Sequence, residues 1–301
     1  MIVDLPDTST LEVSKKLVQM RRTGGAVTLG RVLTLIIDLD VEAGAEDAVE
    51  ASNKASREHP CRVIMVVRQD RTAQTRLDAQ IRVGGDAGAS EVVVLHLNGT
   101  LADHPHAVVT PFLLPDTPVV TWWPGRAPAR PVDDKLGKLA SRRITDSRRS
   151  DDPGALLSAR RVGYAPGDTD LAWSAITQWR GMLVSALDRP PHTAITAARV
   201  TGPRDLAGLD LFAGWIAGEL GVPVTRGVGD MSVTLIREHG ELSMSVGPEG
   251  GLLRSTGHPD GRSAWARRST AECLAEELRR LDADEVYEVA LQGLSGVTHE
   301  E

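Results

Sequence analysis

The residues with the most chemical character in the chain are Thr121-Trp122-Trp123-Pro124-Gly125. Neighbouring side chains of a strand point to opposite faces. One indole therefore fills a core and the other stands at an edge or interface, unless a second domain covers both. Trp is enriched among interface hot spots, so this pair is a candidate partner contact. Downstream, Arg142-Arg143 and Arg148-Arg149 form two basic pairs suited to an acidic protein partner or a phosphorylated ligand; the other reading is a solvated linker. Trp173, Ile176, Trp179, Leu183 and Leu187 recur at three- and four-residue spacing on one helical face, with Arg180 beside that stripe as a rim residue. Trp122, Trp123, Trp179, Arg180, Arg142, Arg143, Arg148 and Arg149 are together the candidate partner-contact residues.

Other chemistry finds little support. Walker, dinucleotide-binding, zinc-protease, nucleophile-elbow and paired C-x-x-C motifs are absent from the sequence. His96, His104 and His106 lack the further ligands a zinc site shows, and Pro105 separates the close pair. Asp133-Asp134 and Asp151-Asp152 read as solvated charges or helix caps rather than acid–base pairs. No catalytic, cofactor-binding or metal-ligating residue is assigned.

These residues need elements to hold them. Ser9-Thr10-Leu11-Glu12 forms a capping box opening a helix that Gly24-Gly25 ends. Residues 26–40 read as a long strand, 43–58 as a helix, and Cys61–Arg68 as a strand inside a sheet covered on both faces. Strands at Arg76–Val83 and Glu91–Leu97 flank a loop at Gly84–Gly88, and a helical stretch near 100–114 precedes Pro118–Trp123. The segment 124–161 is rich in proline and carries ten basic residues against five acidic ones. Helices at 170–187 and Asp205–Leu220, a strand at Ile195–Val200, a hairpin about His239-Gly240, and helices from Ser269 and Asp284 follow. The fold class expected is α/β: an N-terminal domain over 1–125, a basic Pro/Arg-rich connector over 126–161, and a C-terminal domain over 162–301.

Of 301 residues, 41% are hydrophobic and 25% charged, an ordinary globular balance. The net charge of −7 excludes an overall basic nucleic-acid footprint, and the basic segment holds no aromatic residue for base stacking. Apolar runs are too short to span a membrane. Two lone cysteines and a Met1-Ile2-Val3-Asp4 start without a leader predict a cytoplasmic protein.

Four segments, in order, carry a resemblance: Gly30-Arg31-Val32-Leu33-Thr34-Leu35; Ser56-Arg57-Glu58-His59-Pro60-Cys61-Arg62-Val63-Ile64; Pro118-Val119-Val120-Thr121-Trp122-Trp123-Pro124-Gly125; and Asp170-Leu171-Ala172-Trp173-Ser174-Ala175-Ile176-Thr177-Gln178-Trp179-Arg180. The set resembles the actinobacterial OpcA family, the glucose-6-phosphate dehydrogenase assembly proteins. The resemblance implies two α/β domains and a non-catalytic, cytoplasmic activator of glucose-6-phosphate dehydrogenase that needs no cofactor. Cyanobacterial relatives are associated with redox control through cysteines; here Cys61 falls in a strand and Cys273 in a helix, which argues against a thiol switch. The alternative is an enzyme acting on a phosphorylated sugar or nucleotide in an interdomain cleft.

Overall fold

The computed structural model describes residues 1–23, 31–40, 44–83, 91–247 and 249–300. The expected glycine stop at Gly24-Gly25 and the loop at Gly84–Gly88 lie outside the described residues, as does the start of the strand expected at 26–40. The chain forms two compact units.

The first unit comprises Met1–Asp146, Ala165–Thr169 and Thr270–Ala283. Its strands are β1 (Ile2–Thr8), β2 (Leu33–Leu39), β3 (Cys61–Arg68), β4 (Arg76–Arg82), β5 (Glu91–Asn98), β6 (Val119–Trp122), β7 (Arg142–Thr145) and the start of β8 (Asp168–Asp170). They lie in the order β1-β4-β5-β3-β2-β6-β7-β8. The run β5-β3-β2-β6-β7 is parallel, and β4 and β1 close one side antiparallel.

Every residue of β2 is buried, as are seven of the eight in β3, which is why these strands read as unbroken apolar runs. One face packs under α1 (Thr10–Thr23), whose Val13, Leu17 and Met20 join Ile36, Ile64, Val93 and Leu95. The capping box forms: the Ser9 amide donates to Glu12 at 3.0 Å and the Glu12 amide to Ser9 Oγ at 3.3 Å. Hydrogen bonds from Ser9 and Thr8 hold the Glu12 carboxyl below its ordinary value. The crossover helix α2 (Ala45–Ala55) packs against α8 (Thr270–Arg279), a segment from far along the chain. The stretch expected as helical near 100–114 is two 3₁₀ turns around a short α3 (Pro105–Val109).

The second unit comprises Ser147–Tyr164, Asp170–Ser269 and Asp284–Glu301. Its helices are α4 (Pro153–Gly163), α5 (Leu171–Ala175), α6 (Thr177–Leu187), α7 (Ala207–Leu220) and α9 (Glu285–Gly293). Its strands are β9 (Ile195–Thr201), β10 (Val224–Gly227), β11 (Ser232–Arg237), β12 (Glu241–Gly247), β13 (Gly250–Ser255), β14 (Gly261–Ser263) and β15 (Val297–His299), in the order β14-β13-β12-β11-β9-β10-β15. Burial alternates along β9, β11 and β12, the signature of a sheet with one covered face. The expected hairpin forms, with Gly240 at φ 82 in its turn. Helix α7 is buried over most of its circumference. A Cβ on Gly214 would meet the Ala290 carbonyl at 2.2 Å, so α7 and α9 pack backbone to backbone.

The expected connector over 126–161 is corrected. Its first part lies in the first unit, where β7 pairs in parallel with β6; its second part opens the second unit with α4. The chain re-enters the first unit twice more. Arginine at two of four positions makes β7 read as a loop, and only burial of both guanidiniums makes it a strand. No helix among the described residues is long and apolar enough to cross a membrane.

Candidate functional site

The N-terminal ends of three parallel strands in the first unit gather an unusual set of charges. Arg62, the second residue of β3, stands in register with Glu91, the first of β5. Arg21 reaches the same carboxylate from the last turn of α1, and Arg31 from just before β2. Arg21 grips Glu91 with both ends of its fork, Nε at 2.7 Å and Nη2 at 2.6 Å. Arg31 Nη2 donates at 2.8 Å, and Arg62 Nε lies 3.0 Å from Oε1. Arg62 Nη1 donates to the Phe112 carbonyl at 2.6 Å. Glu91 is 1% exposed. Burial alone would raise its carboxyl, but the hydrogen bonds from Arg21 and the charges of Arg62 and Arg31 outweigh that and hold it below the ordinary value. Burial, reinforced by repulsion from Arg21 and Arg31, pulls the Arg62 guanidinium down against the attraction of Glu91.

The other buried ion pairs are matched one to one. Asp38 accepts from Arg68 at 3.0 and 2.5 Å and from Trp123 Nε1 at 3.0 Å; burial still leaves its carboxyl raised. Arg142 donates to Glu277 and to the Asp282 carbonyl, each at 2.6 Å, which ties α8 to β7. Arg143 pairs with Asp168 and donates to the Ala140 and Pro166 carbonyls.

In the second unit Arg226 pairs with Asp210 at 3.0 Å and donates to the carbonyls of Gly202, Gly227 and Pro203. Burial raises the Asp210 carboxyl against the pull of Arg226 and His299. This pair floors a cavity of about 520 Å³ beyond the C-terminal ends of β9, β10 and β15. Ligands of α/β sheets favour that end of the strands. The lining holds Asp151, Asp152, Asp205 and Glu300 besides Asp210, against Arg204 and Arg226, so it suits a cationic group better than a phosphate. Asp152 caps α4 through the Ala155 amide at 3.0 Å, and Asp134 caps a turn through the Leu136 amide, so these acids have the capping role expected of them. Among the described residues no group of three His, Cys, Asp or Glu is placed to hold a metal ion. Cys61 and Cys273 are buried free thiols.

The candidate contact residues need correction. Trp122, the last residue of the inner strand β6, and Trp123, which follows it and donates its Nε1–H to Asp38, are each 1% exposed. Trp179 is buried against Phe212, with ring centroids 6.0 Å apart. Arg142 and Arg143 are buried in their ion pairs. None of these five presents its side chain at the surface of the chain. Arg180 is half-buried, its guanidinium carbon 3.6 Å from the Trp173 ring centroid, a cation–π contact at the rim of the aromatic stripe. Arg149 is exposed and Arg148 partly so.

The Glu91 cluster was missed by sequence reasoning. Its signal is a charge bounding an apolar strand, as in Arg62 before Val63–Val67 and Glu91 before Val92–Leu95, and pairing such charges requires knowing which strands are neighbours.

Comparison with known families gives two matches in tandem, both to domains described as belonging to a glucose-6-phosphate dehydrogenase subunit. The N-terminal domain of that description matches residues 52–162. The C-terminal domain of the same description matches residues 166–291. No curated protein matches. Among solved structures, one titled "Trehalose-6-phosphate from E. coli bound with UDP-2-fluoro glucose" is similar at 7% identity and a TM-score of 0.27 over 65% of this chain. The chain covers 64% of that structure's length, and a likeness so low carries no argument.

Proposed function

This chain belongs to the OpcA family of glucose-6-phosphate dehydrogenase assembly proteins, and on that premise we propose that it performs no chemistry of its own but docks on glucose-6-phosphate dehydrogenase in the cytoplasm and favours its active assembled form. The observation that carries this reading is the pair of family matches in tandem, which together run from residue 52 to 291. The role supports the oxidative pentose phosphate pathway and its supply of NADPH.

An effector of this kind works by binding one state of its target better than another. At 100 times its dissociation constant it stabilises the favoured state by about 2.7 kcal/mol. Of the eight candidate contacts, Arg148, Arg149 and Arg180 keep side-chain exposure and remain the proposed ones. All three belong to the second unit.

The test is dehydrogenase activity and oligomer size, with and without the purified chain. Raised activity and co-elution at micromolar concentration support the reading; unchanged activity without co-elution rejects it. Turnover of a sugar phosphate by the chain alone rejects it equally. Charge reversal at Arg148 and Arg149 together is expected to weaken co-elution by about tenfold; unaltered binding removes those two from the interface.

A further inference from the structure

The Glu91 cluster carries more positive charge than its one carboxylate can balance. Three guanidiniums surround Glu91, and among the described residues no other carboxylate lies within ion-pair distance of them. Among the described residues the surplus is two positive charges. Arg62 is only 6% exposed, and its Nε makes no hydrogen bond although Glu91 is close. The Glu91 oxygens are already taken by Arg21 and Arg31. Arg21 Nη1, Arg31 Nε and Nη1, and Arg62 Nη2 therefore have no protein acceptor among the described residues.

A surplus of this size in a partly buried place disfavours the bare cluster, because like charges repel more strongly where water is scarce. The Arg62 guanidinium, depressed by burial and by its two neighbours, reflects that cost. Solvent species can still arrive: the Arg31 side chain is 19% exposed and that of Arg21 31%. Arginine forks match tetrahedral oxyanions, offering two parallel N–H donors to two oxygens. A dianionic phosphate has both the charge that cancels the surplus and the acceptors for the free donors. We propose that Arg21, Arg31 and Arg62, held together by Glu91, form a binding site for a phosphate group, whether inorganic phosphate or a small phosphate monoester.

The site is independent of the docking role. It is tested on the isolated chain, so its failure leaves the dehydrogenase assay untouched. The full chain is titrated calorimetrically and by thermal melting with potassium phosphate, against potassium chloride of equal ionic strength. Saturable binding and a raised melting midpoint are expected with phosphate and not with chloride. Glucose 6-phosphate, with glucose as control, distinguishes the sources. Tighter binding than phosphate identifies a monoester, equal or weaker binding identifies inorganic phosphate, and both outcomes support the site.

Arg31→Gln leaves two arginines on Glu91 and is expected to weaken binding at least about tenfold. Should that variant miss the wild-type far-UV spectrum, Arg21→Gln at the more exposed position makes the same test. Arg254→Gln, an exposed arginine of the other unit paired with Asp260, should bind as wild type. The proposal falls if phosphate acts no differently from chloride, if neither cluster variant weakens binding, or if Arg254→Gln weakens it as much.

Discussion

Arg62 in the first unit and Arg226 in the second are both buried arginines beside a buried carboxylate, yet their settings differ. Arg226 meets one aspartate and three backbone carbonyls, so charge and donors are both satisfied within the chain. Arg62 shares one glutamate with two other arginines, and among the described residues two of its nitrogens, Nε and Nη2, make no hydrogen bond. The carboxylates record the difference: burial wins at Asp210 and raises it, whereas three guanidiniums win at Glu91 and lower it. One cluster is a closed structural joint that holds the loops after β9 and β10. The other has unused capacity for an anion.

The largest effect that sharpens this contrast is expected at Glu91. Glu91→Gln leaves three arginines without a counter-charge, and breaking such a buried arrangement costs about 3–5 kcal/mol. Urea unfolding followed by circular dichroism measures it. Asp210→Asn is expected to cost less, about 1–3 kcal/mol, because Arg226 keeps three carbonyl acceptors and the aspartate is only weakly favoured as an anion. A larger loss at Asp210 than at Glu91 would break the comparison.

The pH dependences should have opposite signs. The Glu91 carboxyl is lowered in the folded chain, so its contribution is complete above the ordinary value of about 4.3 and drains away as pH falls below it. The stability gap between wild type and Glu91→Gln therefore narrows on acidification. The Asp210 carboxyl is raised, so its contribution is complete below about pH 3.9 and is lost as pH rises through the folded value. The gap for Asp210→Asn widens on acidification. Unfolding curves between pH 3 and 7 decide both signs. The smallest effect marks the exposed limit: Arg279 and Glu58 pair at 3.0 Å with both side chains more than half exposed, and Arg279→Ala should cost about 0–1 kcal/mol in the same urea assay.

Much of the fold was legible from local pattern. The continuous run Cys61–Arg68 became a strand buried along nearly its whole length, and the alternation about His239-Gly240 became a hairpin. The Ser9–Glu12 box capped its helix, and Asp284 capped α9. These succeed because periodicity and capping depend on residues a few positions apart. The strand β1 was not foreseen: Ile2–Thr8 alternates only weakly, contains Pro6, and is defined by antiparallel pairing with β4 some 70 residues later. The helix read across 170–187 is interrupted at Ile176, dividing α5 from α6.

Five of the eight candidate contacts are buried, for a different reason. Trp and Arg are good interface residues in general, but whether a given one reaches the surface depends on what covers it. Trp123 is covered and hydrogen-bonded to Asp38, and Arg142 is covered and paired with Glu277, 135 residues onward.

Composition, periodicity and the order of four short segments were sufficient for the α/β class, most elements and the family, since each is written in residue types at short range or in their succession along the chain. Strand neighbourhood, burial of the arginines and the charge balance at Glu91 came only with folding. A surplus of charge is a property of what converges in space, and Arg21, Arg31, Arg62 and Glu91 come from four separate segments that meet when three parallel strands and a helix end align.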